Sequence, residues 1–418
     1  MLIRLAWSSL RSRWATALLT LCTIALSTAL LLGVQQIREH TRQNFMATVA
    51  GTDLIVGARS GPIQLLLYSL FHIGSATSNI QWSSHETLQH DARVDWTIPL
   101  SLGDSHRGYR VVGTSSDLFR HYRYADQQAL SFAAGEPFND LFSIVLGAEV
   151  ARQLGYRLGD PVIIAHGSGN TSFMQHKHMP FKISGILQPT GTPLDRALLV
   201  SLEGLEAVHL GWRAGVPLPG LEVSPEQARQ RNLTPKEVTA ILVGLKSRLH
   251  TFHLQRELNQ RRTDPLTAIL PGVALQELWQ LLGVAEKALL AVSASALLIG
   301  MIGMLAVLLA ATQQRRHEIA ILRALGCPPA RVALLLIQES LLLTLGGLLL
   351  GILLLQAGLA LLQAPLLSQF GLMLSLGALT PTQWQICALV LALGLISGLA
   401  PALLAWRLAS ASHLIRRN

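Results

Sequence analysis

Three long tracts without a charged side chain constrain this chain more than any other feature. No Asp, Glu, Lys or Arg lies between Arg13 and Arg38, from Ala288 to Gln314, or from Ser340 to Trp406. About 20 apolar residues in a helix cross the hydrocarbon core of a bilayer, so Trp14–Val34 and the second tract each supply one span. The third is too long for one. Gln363, Pro365, Gln369, Thr380 and Pro381 interrupt it, leaving helices at roughly 333–362 and 384–406 and four crossings in all. Composition agrees: 14% of the 418 residues are charged, against about 25% in soluble domains.

The net charge of +9 is placed, not spread. Gln36–Glu286 holds 22 basic and 22 acidic residues, so the whole excess flanks the apolar tracts. Nucleic acid is therefore excluded as the expected partner, and membrane lipid takes its place. Arg4, Arg11 and Arg13 precede the first span, Arg315, Arg316, Arg323 and Arg331 separate the second from the third, and Arg407, Arg416 and Arg417 follow the fourth. Because basic loops stay in the cytoplasm, both termini and the 315–331 loop are expected inside, with Gln36–Glu286 outside. The apolar part of the first segment exceeds the usual 7–15 residues of a signal peptide, and no small-x-small site follows it. It reads as an uncleaved anchor. Glu339 lies within reach of an interface or a neighbouring helix.

The expected organisation is an α-helical membrane protein with four transmembrane helices and a large α/β extracytoplasmic domain between helices 1 and 2. Residues 1–35 form the cytoplasmic N-terminus and first helix, 36–286 the α/β domain with its stalk, and 287–314 the second helix. Residues 315–331 form a cytoplasmic loop, 332–362 the third helix, 363–383 a short outer connection, 384–406 the fourth helix and 407–418 a cytoplasmic tail. Cys22 and Cys387 fall in spans and Cys327 in the loop, so the outer domain relies on its core rather than on disulfides.

Within that domain, β-rich runs predict strands at Thr52–Ala58, Val94–Leu102, Tyr109–Gly113, Pro161–Ala165, Phe181–Leu187 and Ala197–Leu202. Helices are expected at Gly147–Leu154, over all or part of Thr234–Leu245, at Ser247–Arg262, and at Leu275–Lys287, the last running into the second span. None of the five lysines follows a glycine, so no Walker-type phosphate loop is present. Gly-x-Ser-x-Gly, His-Glu-x-x-His and Cys-x-x-Cys are also missing from the sequence. An enzyme acting alone is a poor fit.

Twelve of the fourteen histidines lie in the outer domain. His166, His176 and His178 sit in a Gly/Ser/Asn-rich stretch, and two imidazoles at i, i+2 can share a zinc ion on an extended segment. With no acidic or cysteine companion nearby in sequence, a solvated loop is the favoured reading, and no metal site is assigned.

The loop after the second span reads Gln313-Gln-Arg-Arg-His-Glu318-Ile-Ala-Ile-Leu-Arg323-Ala-Leu-Gly326-Cys-Pro-Pro-Ala-Arg331. Ile319/Leu322 and Ile321/Leu325 set a helical apolar face, Gly326 suits its C-terminus, and Pro328-Pro329 permits a new start. A plain linker needs no such patterning. Here the chain resembles the MacB/FtsX/LolC-type permeases of ATP-binding-cassette systems, for which Arg-Arg-x-Glu-Ile-Ala-Ile-Leu-Arg-Ala-Leu-Gly at 315–326 is the most specific motif. The resemblance extends to Leu5-Ala-Trp-Ser-Ser-Leu-Arg, to Leu146-Gly-Ala-Glu-Val-Ala-Arg-Gln-Leu-Gly and Leu-Gly-Asp160, and to Phe181-Lys-Ile-Ser-Gly-Ile-Leu. Glu339 with Gly346-Gly347-x-x-x-Gly351, and Pro401-Ala402 with Arg407, continue it to the fourth helix. The family's Pro-containing tail is replaced by Ala409-Ser-Ala-Ser-His413.

This resemblance implies a non-catalytic permease of the mechanotransmission type, paired with a second permease and served by two copies of a separate ATP-binding subunit in a bacterial inner membrane. ATP and Mg would bind that partner, and this chain would bind no cofactor. Arg315, Arg316, Glu318, Ile319, Leu322, Arg323 and Gly326 would form the coupling helix. Gly347, Gly351, Gly394 and Gly398 permit close helix packing. The expected function is export or extraction of a periplasmic or outer-leaflet substrate, such as a peptide, lipoprotein, toxic small molecule or metal-linked compound, with a periplasmic binding or adaptor protein as a further partner. Two alternatives stay open: an FtsX-like regulator activating a periplasmic partner such as a cell-wall hydrolase, and a zinc-linked receptor or transport component. The substrate-binding residues stay unassigned.

Overall fold

The computed structural model describes residues 10–167, 175–213, 216–217, 223–262, 264–314, 321, 327–370, 377 and 379–411. The chain separates into two compact units, one within 1–40, 283–364 and 374–418, the other within 41–282 and 365–373.

The first unit is helical. Its apolar tracts form α1 (Trp14–Thr48), α7 (Pro271–Gln314), α8 (Pro329–Phe370) and α9 (Pro381–Ala411). All four are long and apolar enough to cross a membrane. Each extends beyond its expected limits, because polar residues at a helix end can continue the backbone hydrogen-bond ladder once it leaves hydrocarbon. The expected helix over 275–287 is part of α7.

Small residues set the packing. A Cβ added at Gly347 would lie 2.6 Å from Ile24 Cγ2, and one at Gly351 2.7 Å from the Ala25 carbonyl, so α8 meets α1 at backbone distance. Gly394 and Gly398 of α9 do the same against Thr344 and Ser340 of α8. The Ser340 hydroxyl also donates to the Gly394 carbonyl at 2.5 Å. Between apolar helices, close van der Waals contact and such interhelical hydrogen bonds drive association. Glu339 is fully buried and faces the Arg13 guanidinium just ahead of α1 at 3.8 Å.

The second unit is an α/β domain on an eleven-stranded mixed sheet. In chain order the strands are β1 (Leu54–Ala58), β2 (Val94–His106), β3 (Tyr109–Thr114), β4 (Phe132–Gly135), β5 (Ser143–Leu146), β6 (Pro161–Val162), β7 (Ala165–His166), β8 (Phe181–Leu187), β9 (Ala197–Ser201), β10 (Ala240–Leu245) and β11 (Leu266–Ile269). The order across the sheet is β11-β1-β10-β2-β3-β9-β5-β8-β4, with β7 added to β2 and β6 to β8. The helices are α2 (Pro62–Leu70), α3 (Trp82–Gln89), α4 (Ala148–Leu154), α5 (Leu202–Val208) and α6 (Thr251–Asn259), with shorter turns at Asp117–His121 and Pro225–Arg229.

Both sheet faces are covered. On β9, Ala197 and Leu199 join one core with Leu65, Leu66 and Ile98, while Leu198 and Val200 join another with Val150, Phe181 and Val208. β1 behaves likewise: Ile55 faces α2, while Leu54 and Val56 pack with Leu254 and Leu258 of α6.

Double-sided burial explains the one clear misreading of an element. The expected helix within Thr234–Leu245 is instead strand β10, paired antiparallel to β1 and β2. A strand buried on both faces loses the apolar/polar alternation that identifies strands and reads as a continuous apolar run. The helix expected over Ser247–Arg262 shortens to α6 after a single 3-10 turn at Arg248–His250, and β11 follows. Tyr109, Phe181 and Ala197 begin strands as expected, whereas the 161–165 strand resolves into two short ones, β6 and β7.

Candidate functional site

The ends of β2 and β7 and the C-terminus of α5 bring four polar side chains together in the α/β domain. β2 continues past β10, and β7 pairs with this overhang in a register that puts His166 opposite Asp104. The pairing of β2 with β3 shifts register between Leu102 and Ser105, so Gly103 and Asp104 occupy a bulge. A bulge re-aims a side chain, and Asp104 is buried with 1% exposed surface. Ser201 caps α5 by accepting the Gly204 amide at 3.0 Å, and the helix ends at His209. His176 follows Gln175, which bridges back to Ala165, and its amide donates to the Ile164 carbonyl at 3.0 Å.

The result is a set of three imidazoles and one carboxylate, Asp104, His166, His176 and His209, with one donor atom from each lying within 4.8 Å of the others. His166 Nδ1 is 2.8 Å from Asp104 Oδ1, His209 Nε2 is 3.3 Å from Asp104 Oδ2, and the two nitrogens are 3.1 Å apart. Trp212 covers His176 with ring centroids 4.2 Å apart. Among the described residues neither ring nitrogen of His176 has a hydrogen-bond partner, although the residue has no exposed surface. Such a group costs about 1–3 kcal/mol of desolvation.

Electrostatics sort the protonation states. Burial opposes the Asp104 charge, but His166 and His209 overcome it and hold the carboxyl well below the usual range. Burial, reinforced by His209, lowers His176 to about 4, so this ring is neutral at physiological pH. Burial works against a charged His209, yet the Asp104 hydrogen bond and charge outweigh it and raise the pKa. The site thus presents a carboxylate and a neutral His176 imidazole, and a metal ion bound at His209 would displace its proton; carboxylate and imidazole are donor types that hold a transition metal ion.

His166 and His176, both singled out in sequence, belong to this cluster. His178 lies outside it, its ring centroid 6.1 Å from that of His176. Asp104 and His209 were not anticipated, and the missing acidic companion of the histidine stretch is supplied from β2. The signal that could have found Asp104 is the Gly103-Asp104 pair inside a strand pattern, since a glycine there marks a bulge. Of the expected coupling residues, Arg315, Arg316, Glu318, Ile319, Leu322, Arg323 and Gly326 lie outside the described residues.

Comparison with known proteins addresses both units. Residues 17–260 match the model of the MacB-like periplasmic core domain, and residues 290–413 that of the FtsX-like permease C-terminal region. Among solved structures, the periplasmic region of MacB from Actinobacillus actinomycetemcomitans is 12% identical, covering 56% of this chain and 94% of that one at a TM-score of 0.34. The extracellular domain of the noncanonic ABC-type transporter YknZ from Gram-positive bacteria is 12% identical, covering 52% and 99% at a TM-score of 0.30. Among curated proteins, none matches. With the core-domain model spanning more than half of the chain and the permease model following it, this protein belongs to the MacB/FtsX-type family of ABC transporter permeases.

Proposed function

We propose that this chain is the permease subunit of an ABC transporter, coupling ATP hydrolysis on a separate subunit to movement of its own α/β domain. The observation that carries this reading is the patterned 315–326 segment between two apolar helices of a chain whose two halves both match the family. Ile319 and Leu322 supply an apolar face for a groove on the ATPase, and Arg315, Arg316, Glu318 and Arg323 supply charge around it. ATP and Mg²⁺ bind the two ATPase copies, and closure of these draws the coupling helices of a permease pair together.

Basic residues at both ends and in the 315–331 loop support a topology with these segments in the cytoplasm and the α/β domain in the periplasm. The long α1 and α7 helices then act as stalks. The cargo is a substrate already in the periplasm or outer leaflet, because the spans carry few polar groups with which to line an aqueous pathway. Its chemical class is a peptide, lipoprotein, toxic small molecule or metal-linked compound, received with a periplasmic binding or adaptor protein.

The test is affinity purification of the tagged, detergent-solubilised protein from its native cells, comparing wild type with Arg323→Glu. An ATPase that co-purifies with wild type alone supports the coupling helix. Absence of any ATPase from both preparations refutes the reading. A cell-wall hydrolase recovered with the ATPase would reassign the protein as a transmembrane regulator.

A further inference from the structure

Buried polar groups almost always have partners, so each exception calls for a physical reason. In the α/β domain, neither ring nitrogen of His176 has a partner among the described residues, and one of them lies within 4.8 Å of donor atoms from Asp104, His166 and His209. Two accounts compete. In the first, His166, His209 and Asp104 form an ordinary hydrogen-bonded network, sharing protons over contacts of 2.8–3.3 Å. That account leaves both Asp104 oxygens without a well-aligned donor among the described residues, and it leaves His176 unexplained, since an apolar ring at a fully buried position would cost nothing in desolvation. The second account places one cation among all four.

We infer that Asp104, His166, His176 and His209 form a single Zn²⁺ site on the α/β domain. Geometry supports it first. Zinc bonds of about 2.0–2.1 Å in a tetrahedron set the donors roughly 3.3 Å apart. His166 Nδ1 to His209 Nε2 at 3.1 Å and His209 Nε2 to Asp104 Oδ2 at 3.3 Å already have this spacing. The His166–Asp104 contact of 2.8 Å needs only a small opening, and His176 lies within the same 4.8 Å limit.

Donor chemistry then selects the ion. Three imidazoles and a carboxylate suit Zn²⁺, whose filled d shell imposes no competing geometry. Ca²⁺ and Mg²⁺ take shells of oxygen, and Cu(I) favours thiolate or thioether sulfur. Four protein donors complete the coordination, as in a binding site, instead of leaving the open position of a hydrolytic one. Asp104 and His176 are buried, while the side chains of His166 and His209 are 35% and 27% exposed, giving the ion a way in and out past those two rings.

The ligands come from β2, β7, the segment holding His176 and the end of α5. Zn²⁺ would tie these together, so its binding is coupled to the local fold. Nothing in this inference depends on an ATPase: it concerns the chemistry of one cluster and can fail or hold independently of the permease reading.

The experiment is Zn²⁺ titration of the full-length protein in detergent, purified through a tag free of histidine, stripped with a chelator and competed against a chromophoric zinc indicator. The expected result is one tight Zn²⁺ per chain in wild type. His176→Ala and Asp104→Asn should each weaken it by about a hundredfold or more, at least as much as loss of an outer-shell partner. His178→Ala, a neighbour outside the donor set, should bind as wild type does. Circular dichroism without metal checks the fold of each variant. Because His176→Ala removes a core ring, Co²⁺-loaded wild type gives a second readout that needs no mutation, and an intense tetrahedral visible spectrum is expected. Absence of a stoichiometric tight site in wild type, wild-type affinity in a folded His176→Ala, or a pale six-coordinate Co²⁺ spectrum would each overturn the assignment.

Discussion

His166 stands directly across from Asp104 in the antiparallel pairing of two strands, and its Nδ1 lies 2.8 Å from the Asp104 carboxylate. The bulge at Gly103-Asp104 makes this contact possible by turning Asp104 out of the regular ladder. His209 then reaches the other carboxylate oxygen from the end of α5 at 3.3 Å. A buried carboxylate is stable only when paired, so the β2–β7 register and the position of α5 are energetically tied to one another.

Zinc should stabilise the folded protein by linkage. At a free ion concentration a hundred times the dissociation constant, the gain is about 2.7 kcal/mol. For a domain of this size, that raises the melting temperature by roughly 5–10 °C. Thermal melts of chelator-stripped protein with and without Zn²⁺ should show the rise in wild type and in His178→Ala, and little or none in His176→Ala.

Acidification should weaken the α/β domain through His85. This ring has 4% exposure and shares a 3.1 Å hydrogen bond with Thr97. Burial lowers its pKa to about 4, against the pull of Glu86 and Asp117. The unfolded chain, with a pKa of about 6.5, binds the proton first. The stabilisation is therefore complete above about pH 6.5 and is lost as pH falls towards 4, to the extent of about 3 kcal/mol. Denaturant melts across that range should show a shallower pH dependence in His85→Gln. An equal slope in the variant would remove His85 as the cause.

Core truncation at β9 should be costly. Leu199 is completely buried among Leu65, Leu66 and Ile98, at a strand flanked on both sides. Leu199→Ala removes buried methyl groups and leaves a cavity, so a loss of about 2–5 kcal/mol is expected. A melting temperature unchanged from wild type would contradict the placement of this strand at the centre of the sheet.

Helix packing should fail at Gly351. A leucine there must displace the Ala25 carbonyl or Thr28, which lie 2.7 and 3.0 Å from the position of a new Cβ. Gly351→Leu should lower the detergent melting temperature and the yield of folded protein, whereas Gly358→Leu, where nothing lies within 4 Å, should be tolerated. Size-exclusion profiles of the two variants separate these outcomes.

Much of this organisation was legible in residue order. A span needs about 20 uncharged residues in succession, and Trp14–Val34 or Ala288–Gln314 show that by inspection. Strands with one face only partly buried, such as Phe181–Leu187 with its alternating burial, also declare themselves. Ala240–Leu245 did not, because burial on both faces erased its period. The histidine stretch, for which a solvated loop was the favoured reading, holds two of the four cluster residues, His166 and His176, while His178 lies outside the cluster.

Residue order alone carries everything that depends on consecutive residues: four apolar helices, a neutral domain set between two of them, and the patterned segment at 315–326. Hydrophobic transfer and helix periodicity act along the chain and leave their record there. The Asp104, His166, His176 and His209 cluster exists only once the chain has folded. Those residues meet through a strand register, a bulge and a helix end, and contacts between distant segments leave no local pattern in the order of the residues.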